Sequence, residues 1–462
     1  MNLESIHIVY FLGIGGIGMS ALARWFNHQG IVVAGYDRMP TSLTDALMAE
    51  GITIHFEDNI KTLPEALVDN KDRSLVVYTP AIPTDHRQYN YLLSHGYTLI
   101  KRSAVLGKLT ESMFSIAVAG THGKTTTSSM VAHILKEGGK NCAAFLGGIA
   151  QNYDSNMLLG TGEGENLVVV EADEFDRSFL ALSPNIAVIT SADADHLDIY
   201  GHKDELVKSF QDFAAKTHEE GVLFVQEAIQ PVIAPVETAY ETVSYGLKQG
   251  DIKAENLSIK GVVFHFDVRL KGRILRDFQL HVPGFHNVEN ALAAIAVADY
   301  LDMPEASIRS ALATYRGVKR RFEFVIQQLN LTFIDDYAHH PVEIEAFLTS
   351  VRALYPGRKL TAIFQPHLYS RTRDFADEFA KSLSLADEVL MLDIYPAREL
   401  PIEGVDVHMI FDKIIVKEKM LMTKEEVMQK IREMKIDVLV TIGAGDIDKM
   451  VKPIQKILSQ TL

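Results

Sequence analysis

The chain has 462 residues, 47% of them apolar and 23% charged, with a formal net charge of −15 and a single cysteine. That length implies two to four domains rather than one core. The acidic balance excludes a dedicated nucleic-acid binder, which needs clustered Lys and Arg, and no apolar run reaches the ~18 residues of a membrane span. The N-terminus carries no basic segment ahead of its apolar stretch, and glycines interrupt that stretch at once, so no signal peptide is read. Cys142 can form no internal disulfide, which fits a reducing cytoplasm. Its thiol reads as a small buried hydrophobe.

Short apolar runs alternate with helical patterns, as in α/β units. The opening predicts a strand at 6–12, a glycine loop, a helix at 20–28 and a strand at 31–36. "SLVVYTPAI" predicts a buried strand running into a loop with Pro80 and Pro83. A second unit starts with a strand at 115–119, a loop and a helix at 125–136, followed by the apolar runs "NLVVVE" and "NIAVIT". The period then changes to two. Val262, Phe264, Phe266, Val268 and Leu270 alternate with mostly polar residues, and Lys271-Gly272 predicts the turn of a hairpin. A helix at "NALAAIAVADYL" closes that unit, and "RGVKRRFEF" marks a linker. Beyond it, a strand at 331–335 leads to a helix opened by Pro341, and two more strand-loop-helix units follow. The expected fold is α/β in three domains. Residues 1–107 form a Rossmann-like domain, 108–318 a central P-loop domain with an antiparallel patch, and 319–462 a second Rossmann-like domain.

Two loops carry phosphate-binding character. In "GTHGKTTT", Gly120, Gly123, Lys124 and Thr125 lie between a strand and a helix. Glycines let backbone N–H groups close on phosphate oxygens, and the helix N-terminus adds positive potential. Lys124 can reach a transferring phosphate, and the Thr125 hydroxyl can ligate Mg²⁺. The full P-loop has a glycine where Val118 stands, so this loop is a shortened relative. Gly13, Gly15 and Gly18 match GxGxxG, and Asp37 follows the next strand where a ribose acceptor sits in dinucleotide folds. That pattern reports a diphosphate and is silent about its cargo; NAD and a UDP-sugar fit equally. Gly443 and Gly445 form a third turn, which strand-to-helix geometry alone can require.

The acids and histidines come next. Glu171 ends an apolar strand beside the P-loop strand, where a Mg²⁺ ligand is expected, with Glu174 a second choice. "DADHLD" sets His196 among aspartates and reads either as a helix cap region or as a second metal position. Asp335, Asp336, His339 and His340 lie at a strand's carboxyl end, where open α/β sheets bind ligands. His367, Arg371 and Arg373 end the next strand, and an arginine fork suits a carboxylate. No G-x-S-x-G, supported Cys–His pair or zinc spacing occurs.

In this order, "AGTHGKTTT", "EADE", "DADHLD", "PGFHNVENALAA", "RRFEF", "DDYAHHPVE" and "FQPHLYSRTRD" resemble the Mur ligase family over nearly the whole chain. "GIGGIGMS", "DDYAHHP" and "QPHLYSRTRD" look most like the branch that adds L-alanine to UDP-N-acetylmuramate in peptidoglycan precursor synthesis. The resemblance implies that the first loop holds a UDP-sugar through Gly13, Gly15, Gly16, Ile17, Gly18 and Asp37. It implies that ATP lies on Gly120, Thr121, His122, Gly123, Lys124, Thr125 and Thr126, with adenine on His286 and Asn290 and further contacts from Arg321 and Asp336. Thr125, Glu171 and His196 would serve one or two Mg²⁺ ions. Tyr337, His339 and Arg371 would line the alanine site, and His339 or His196 would take the amine proton. Lys124, Glu171, His196 and His339 are thus the expected catalytic set of a cytoplasmic enzyme. Three positions depart from or sit awkwardly in the family pattern. Leu368 stands where Arg often follows "QPH", Ser191 where Asn is common, and Lys208 is out of register for a modified lysine and receives no role. A ligase that recycles a whole tripeptide shares "AGTHGKTTT" and "HHP" and would need a more open amino-acid pocket. An NAD-dependent dehydrogenase would leave "GTHGKTTT" unexplained. A gated ATP-binding protein would form no amide product.

Overall fold

The computed structural model describes residues 5–162, 164–193, 200, 202–234, 238–397 and 399–460. Three sheets organise it. The first contains β1 (Ile8–Leu12), β2 (Val32–Tyr36), β3 (Thr53–His55), β4 (Ser74–Tyr78) and β5 (Leu99–Lys101), in the order β3-β2-β1-β4-β5. All of its pairings are parallel, and every residue of β1 is buried, as expected of a strand covered on both faces. The strand order reverses beside β1, so the first glycine loop leaves the sheet at its switch point, where α/β sheets bind ligands.

The second sheet contains β6 (Phe114–Ala119), β7 (Cys142–Ala150), β8 (Ser155–Leu158), β9 (Leu167–Glu171), β10 (Ile186–Ile189), β11 (Val222–Gln226), β12 (Glu241–Gly246), β13 (Ile252–Lys260), β14 (Val263–Leu270) and β15 (Arg273–Leu280). Its order is β15-β14-β13-β12-β11-β10-β6-β9-β7-β8. β6 is parallel to both β9 and β10, and β8 is antiparallel to β7. The turn between β14 and β15 lies at Lys271 and Gly272, both at positive φ (46° and 82°), as a two-residue hairpin requires. The period-two segment therefore folds as expected. β13 joins it as a further strand that the alternation had not marked.

The third sheet contains β16 (Glu323–Gln327), β17 (Thr332–Asp336), β18 (Leu360–Phe364), β19 (Glu388–Met391), β20 (Glu418–Leu421) and β21 (Val438–Ile442), in the order β16-β17-β21-β18-β19-β20. It is parallel except for β16, which lies antiparallel on its edge.

Two compact units divide the chain. One is Met1–Lys253 with Val268–Leu275 and Asn290–Leu312; the other is Ala254–Asp267 with Arg276–Glu289 and Ala313–Leu462. In the first unit, one apolar cluster includes Val9, Phe11 and Phe26 of the first sheet layer and Val168, Phe179 and Phe210 of the second. Asn156 ties the two layers together, its amide donating to Ser20 Oγ at 2.9 Å. In the second unit, Phe333, Ile363, Leu439 and Ile454 anchor the core. Among the described residues no helix is long and apolar enough to cross a membrane.

Candidate functional site

The central loop follows β6 and opens the helix Lys124–Glu137. Gly120 has φ +135°, and a Cβ there would lie 2.1 Å from Thr190 Oγ1, so both conformation and space require glycine. Gly123 is left-handed at the helix N-cap (φ +81°), and a Cβ there would lie 2.8 Å from Asn290 Oδ1. Asn290 thus sits against the loop, and Thr121, Thr125 and Thr126 are buried. Ser191 braces the loop: its Oγ accepts from His122 N at 2.7 Å and lies 2.9 Å from Thr121 Oγ1. The serine that departs from the family pattern is therefore a structural partner of the loop. Asp193 N donates to Thr121 Oγ1 at 3.0 Å, and Asp193 Oδ2 lies 3.6 Å from His122 Nε2.

Lys124 Nζ donates to Gly120 O at 2.6 Å and to Glu174 Oε1 at 2.9 Å, with Glu174 Oε2 at 2.7 Å. Burial lowers the ammonium's pKa, but Glu174, Asp173 and Glu171 pull it the other way and prevail, so Lys124 stays charged. Glu171 ends β9, and its Oε1 accepts from Thr125 Oγ1 at 3.0 Å while Oε2 accepts from Gly147 N at 2.9 Å. A hydroxyl beside a carboxylate at a strand end is an all-oxygen donor set, which suits Mg²⁺. The expected metal ligands Thr125 and Glu171 thus meet, whereas Glu174 is the partner of Lys124. His196 lies outside the described residues. Lys208 is exposed on the helix Lys203–Ala214.

At the first loop the helix Ile17–His28 begins one residue after Gly16, earlier than its apolar pattern suggested, and has no side-chain cap. Gly13 is at φ +87°, and a Cβ there would lie 2.6 Å from Thr79 Cγ2. Asp37 Oδ2 accepts from Gly15 N at 2.7 Å and Oδ1 from Arg38 N at 2.7 Å. Asp37 therefore braces the loop here, a role the spacing rule did not suggest.

In the second unit Asp336 ends β17. Its carboxylate accepts from Phe322 N at 2.7 Å and Ala338 N at 2.8 Å. Burial nevertheless pushes it up to about 7, against the pull of Arg321 and those two amides. Tyr337 carries Arg320 and Arg321 over its ring, at 5.0 and 5.1 Å. His339 Nδ1 faces Tyr337 O at 3.0 Å and Glu343 Oε2 at 3.3 Å. Nδ1 thus faces two acceptor oxygens. The rings continue from Tyr337 to His339, then His367, then Tyr395, with centroids 5.4, 6.0 and 5.9 Å apart. Buried Arg371 joins this row, its Nη1 3.5 Å from His367 Nδ1. Arg321 Nη1 lies 3.7 Å from Glu343 Oε1.

The neighbours of these residues have structural work. His340 caps the helix Pro341–Leu354, Arg373 pairs with Asp374, and Leu368 is buried with φ +72°. Asp335 accepts from Arg320 and Thr441, and Arg320 also donates to Gly443 O at 2.7 Å; Gly443 itself is at φ +148°, where a Cβ would lie 2.8 Å from Gln365 O, so local geometry accounts for that glycine. His286 lies four residues before Asn290 on the helix Phe285–Tyr300 and so shares its face. Burial pushes the His286 imidazole down to about 4, and among the described residues its buried Nδ1 has no hydrogen-bond partner.

Three Mur ligase family models match the chain: the family catalytic domain over residues 8–113, the middle domain over 118–298 and the glutamate ligase domain over 320–445. The UDP-N-acetylmuramate–L-alanine ligase of Flavobacterium johnsoniae is 48% identical and covers 100% of both chains. The protein of the same name from Cytophaga hutchinsonii is 47% identical over 100% of this chain and 98% of its own. Among solved structures, the UDP-N-acetylmuramate-alanine ligase of Thermotoga maritima is 31% identical with a TM-score of 0.82, covering 98% of this chain and 99% of that one. A murein peptide ligase from Psychrobacter arcticus shares the fold at 24% identity and a TM-score of 0.68, covering 98% of each chain.

Proposed function

The chain belongs to the Mur ligase family, and from that premise we propose that it joins L-alanine to the lactyl carboxylate of UDP-N-acetylmuramate, consuming ATP and releasing ADP and phosphate. A carboxylate is a poor electrophile because its oxygen leaves badly. Transfer of the γ-phosphoryl group makes an acyl phosphate, the alanine amine adds to it, and phosphate departs from the tetrahedral intermediate. The observation that carries this reading is the charged Lys124 on a glycine-hinged loop beside the Thr125–Glu171 pair. That arrangement suits a triphosphate and a hard cation.

In this reading Lys124 and the N–H groups of Gly120–Thr126 orient the γ-phosphate. Thr125 and Glu171 would hold Mg²⁺, which supplies charge neutralisation on the transferring phosphoryl group. A second ion on His196 extends the same proposal. His286 and Asn290 receive adenine: a neutral imidazole with a buried, unpartnered Nδ1 suits a hydrogen-bonding base edge. Arg321 and Asp336 are assigned to ATP from the third sheet's domain, and the glycine loop after β1 to the UDP-sugar. The buried Arg371 pairs with the alanine carboxylate, Tyr337 lines that pocket, and Nε2 of His339 accepts the amine proton. The domain limits 1–107, 108–318 and 319–462 follow this division of labour, and the cytoplasm supplies its substrates.

The test is direct. Purified protein receives MgATP and UDP-N-acetylmuramate with L-Ala, Gly, L-Ser or tripeptide, and both phosphate and amide product are measured. L-Alanine should give the highest kcat/KM. Preference for the tripeptide would reassign the substrate, and absence of ATP consumption with every acceptor would overturn the function.

A further inference from the structure

Arg102 opens the helix Arg102–Ser112, and its guanidinium lies over Gly18 in the first turn of the helix Ile17–His28. A Cβ at position 18 would stand 2.8 Å from Arg102 Nη1 and 3.1 Å from its Cζ. The last glycine of GxGxxG usually lets helix and sheet pack closely. Here it makes room for a cation.

That placement is electrostatically unfavourable by itself. Both helices begin around this point, neither has a side-chain cap, and neither carries an acid in its first turn. Each helix N-terminus is equivalent to roughly half a positive charge. The carboxylate that faces the guanidinium is Asp173, its Oδ2 3.9 Å from Nη2, beyond hydrogen-bond length, with side chains 23% and 42% exposed. A pair so open contributes little. Among the described residues no acceptor lies within hydrogen-bond distance of the guanidinium. Two helix ends and an arginine fork thus converge on one place, a donor set that suits an anion with several oxygens.

We propose that Arg102 binds the diphosphate of the sugar nucleotide at the first glycine loop, and that Asp173 is only its resting partner. The proposal rests on the reading of that loop given above. A guanidinium presents parallel donors to neighbouring phosphate oxygens, which an ammonium cannot match. Asp173 is already engaged elsewhere: Oδ1 accepts from Phe175 N at 3.1 Å and its carbonyl from Ser178 Oγ at 3.1 Å. It therefore stays in place when Arg102 turns to the phosphates. Asp173 also sits between Glu171 and Glu174, the partners of Thr125 and Lys124. Arg102 thereby sets the sugar nucleotide directly beside the phosphoryl-transfer loop.

The experiment compares wild type with Arg102→Met, Arg102→Lys and Asp173→Asn. It measures steady-state KM for UDP-N-acetylmuramate and for ATP, and inhibition by uridine diphosphate against uridine monophosphate. Arg102→Met should raise KM for the sugar nucleotide about tenfold to a hundredfold and leave KM for ATP within about threefold. It should also abolish most of the wild-type preference for the diphosphate over the monophosphate, which a merely structural arginine would not affect. Arg102→Lys should fall between the two, and it decides the matter if the Met variant fails to fold. Asp173→Asn should leave KM for the sugar nucleotide unchanged or lower. A wild-type-like KM, or retained discrimination between the two uridine nucleotides, in the Arg102 variants overturns the assignment while leaving the ligase reading intact. Failure of the wild type to consume ATP would overturn both.

Discussion

Replacing Glu174 by Gln tests whether a protein carboxylate holds Lys124, the proposed phosphate ligand, until a nucleotide arrives. The Glu174 side chain is fully buried, and Lys124 retains 13% exposure, with contacts at 2.9 and 2.7 Å. Removing one partner of a buried pair costs ~3–5 kcal/mol. Two features reduce that here. The Gln oxygen still accepts from Nζ, worth ~1 kcal/mol, and Gly120 O remains 2.6 Å from Nζ. A net loss of about 2–3 kcal/mol follows, equivalent to roughly 4–12 °C in Tm for a domain of this size. Bound ATP replaces the missing negative charge with phosphate oxygens. MgATP should therefore raise the Tm of Glu174→Gln more than that of wild type. Thermal melts followed by circular dichroism, with and without saturating MgATP, measure both quantities. Melting within about 1 °C of wild type, or equal stabilisation of both proteins by ATP, would refute the idea that Glu174 occupies Lys124 in place of phosphate.

Lys124→Ala and Glu171→Ala should each reduce phosphate release by a factor of about 10²–10³ or more while the far-ultraviolet spectrum is kept; near-normal rates in either would remove the ATP assignment. Gly120→Ala combines a φ of +135° with a Cβ 2.1 Å from Thr190 Oγ1, so it should cost about 3 kcal/mol or more and be visible as a large drop in Tm. Asp336 gives a pH signature. Its folded-state value, about 7, lies above the ordinary value of 3.8, so its contribution to stability is fully present below 3.8 and is lost as pH rises through about 7. The Tm of wild type minus that of Asp336→Asn should therefore fall steadily between pH 4 and 7, and a constant difference would contradict the raised value.

Much of the architecture was legible because its signals are local. An apolar run, a glycine that tolerates positive φ and a following helical period lie within some twenty residues, and they located the strand-loop-helix units of all three sheets. Lys271-Gly272 announced its hairpin for the same reason. The misses were equally physical. β13 lacks clean alternation because its residues are partly exposed along most of its length. The helix Ile17–His28 starts before its apolar face does, since backbone hydrogen bonding extends past the residues that pack.

The sequence by itself determined where glycine loops join strand to helix, where a carboxylate ends a strand, and the ordered series of motifs that marks the family. Each of these depends on residue type and spacing along the chain. Only the tertiary structure decided what each side chain touches. "EADE" offers three acids, and only the folded packing makes Glu171 the neighbour of Thr125 and Glu174 the partner of Lys124. Asp37 turned out to brace Gly15, Ser191 to brace the glycine loop after β6, and Arg102 to cover Gly18. These partners lie between 22 and 84 positions apart in the chain. Hydrogen bonds and ion pairs form over a few ångströms of space, and it is the packing of the sheets that sets those distances.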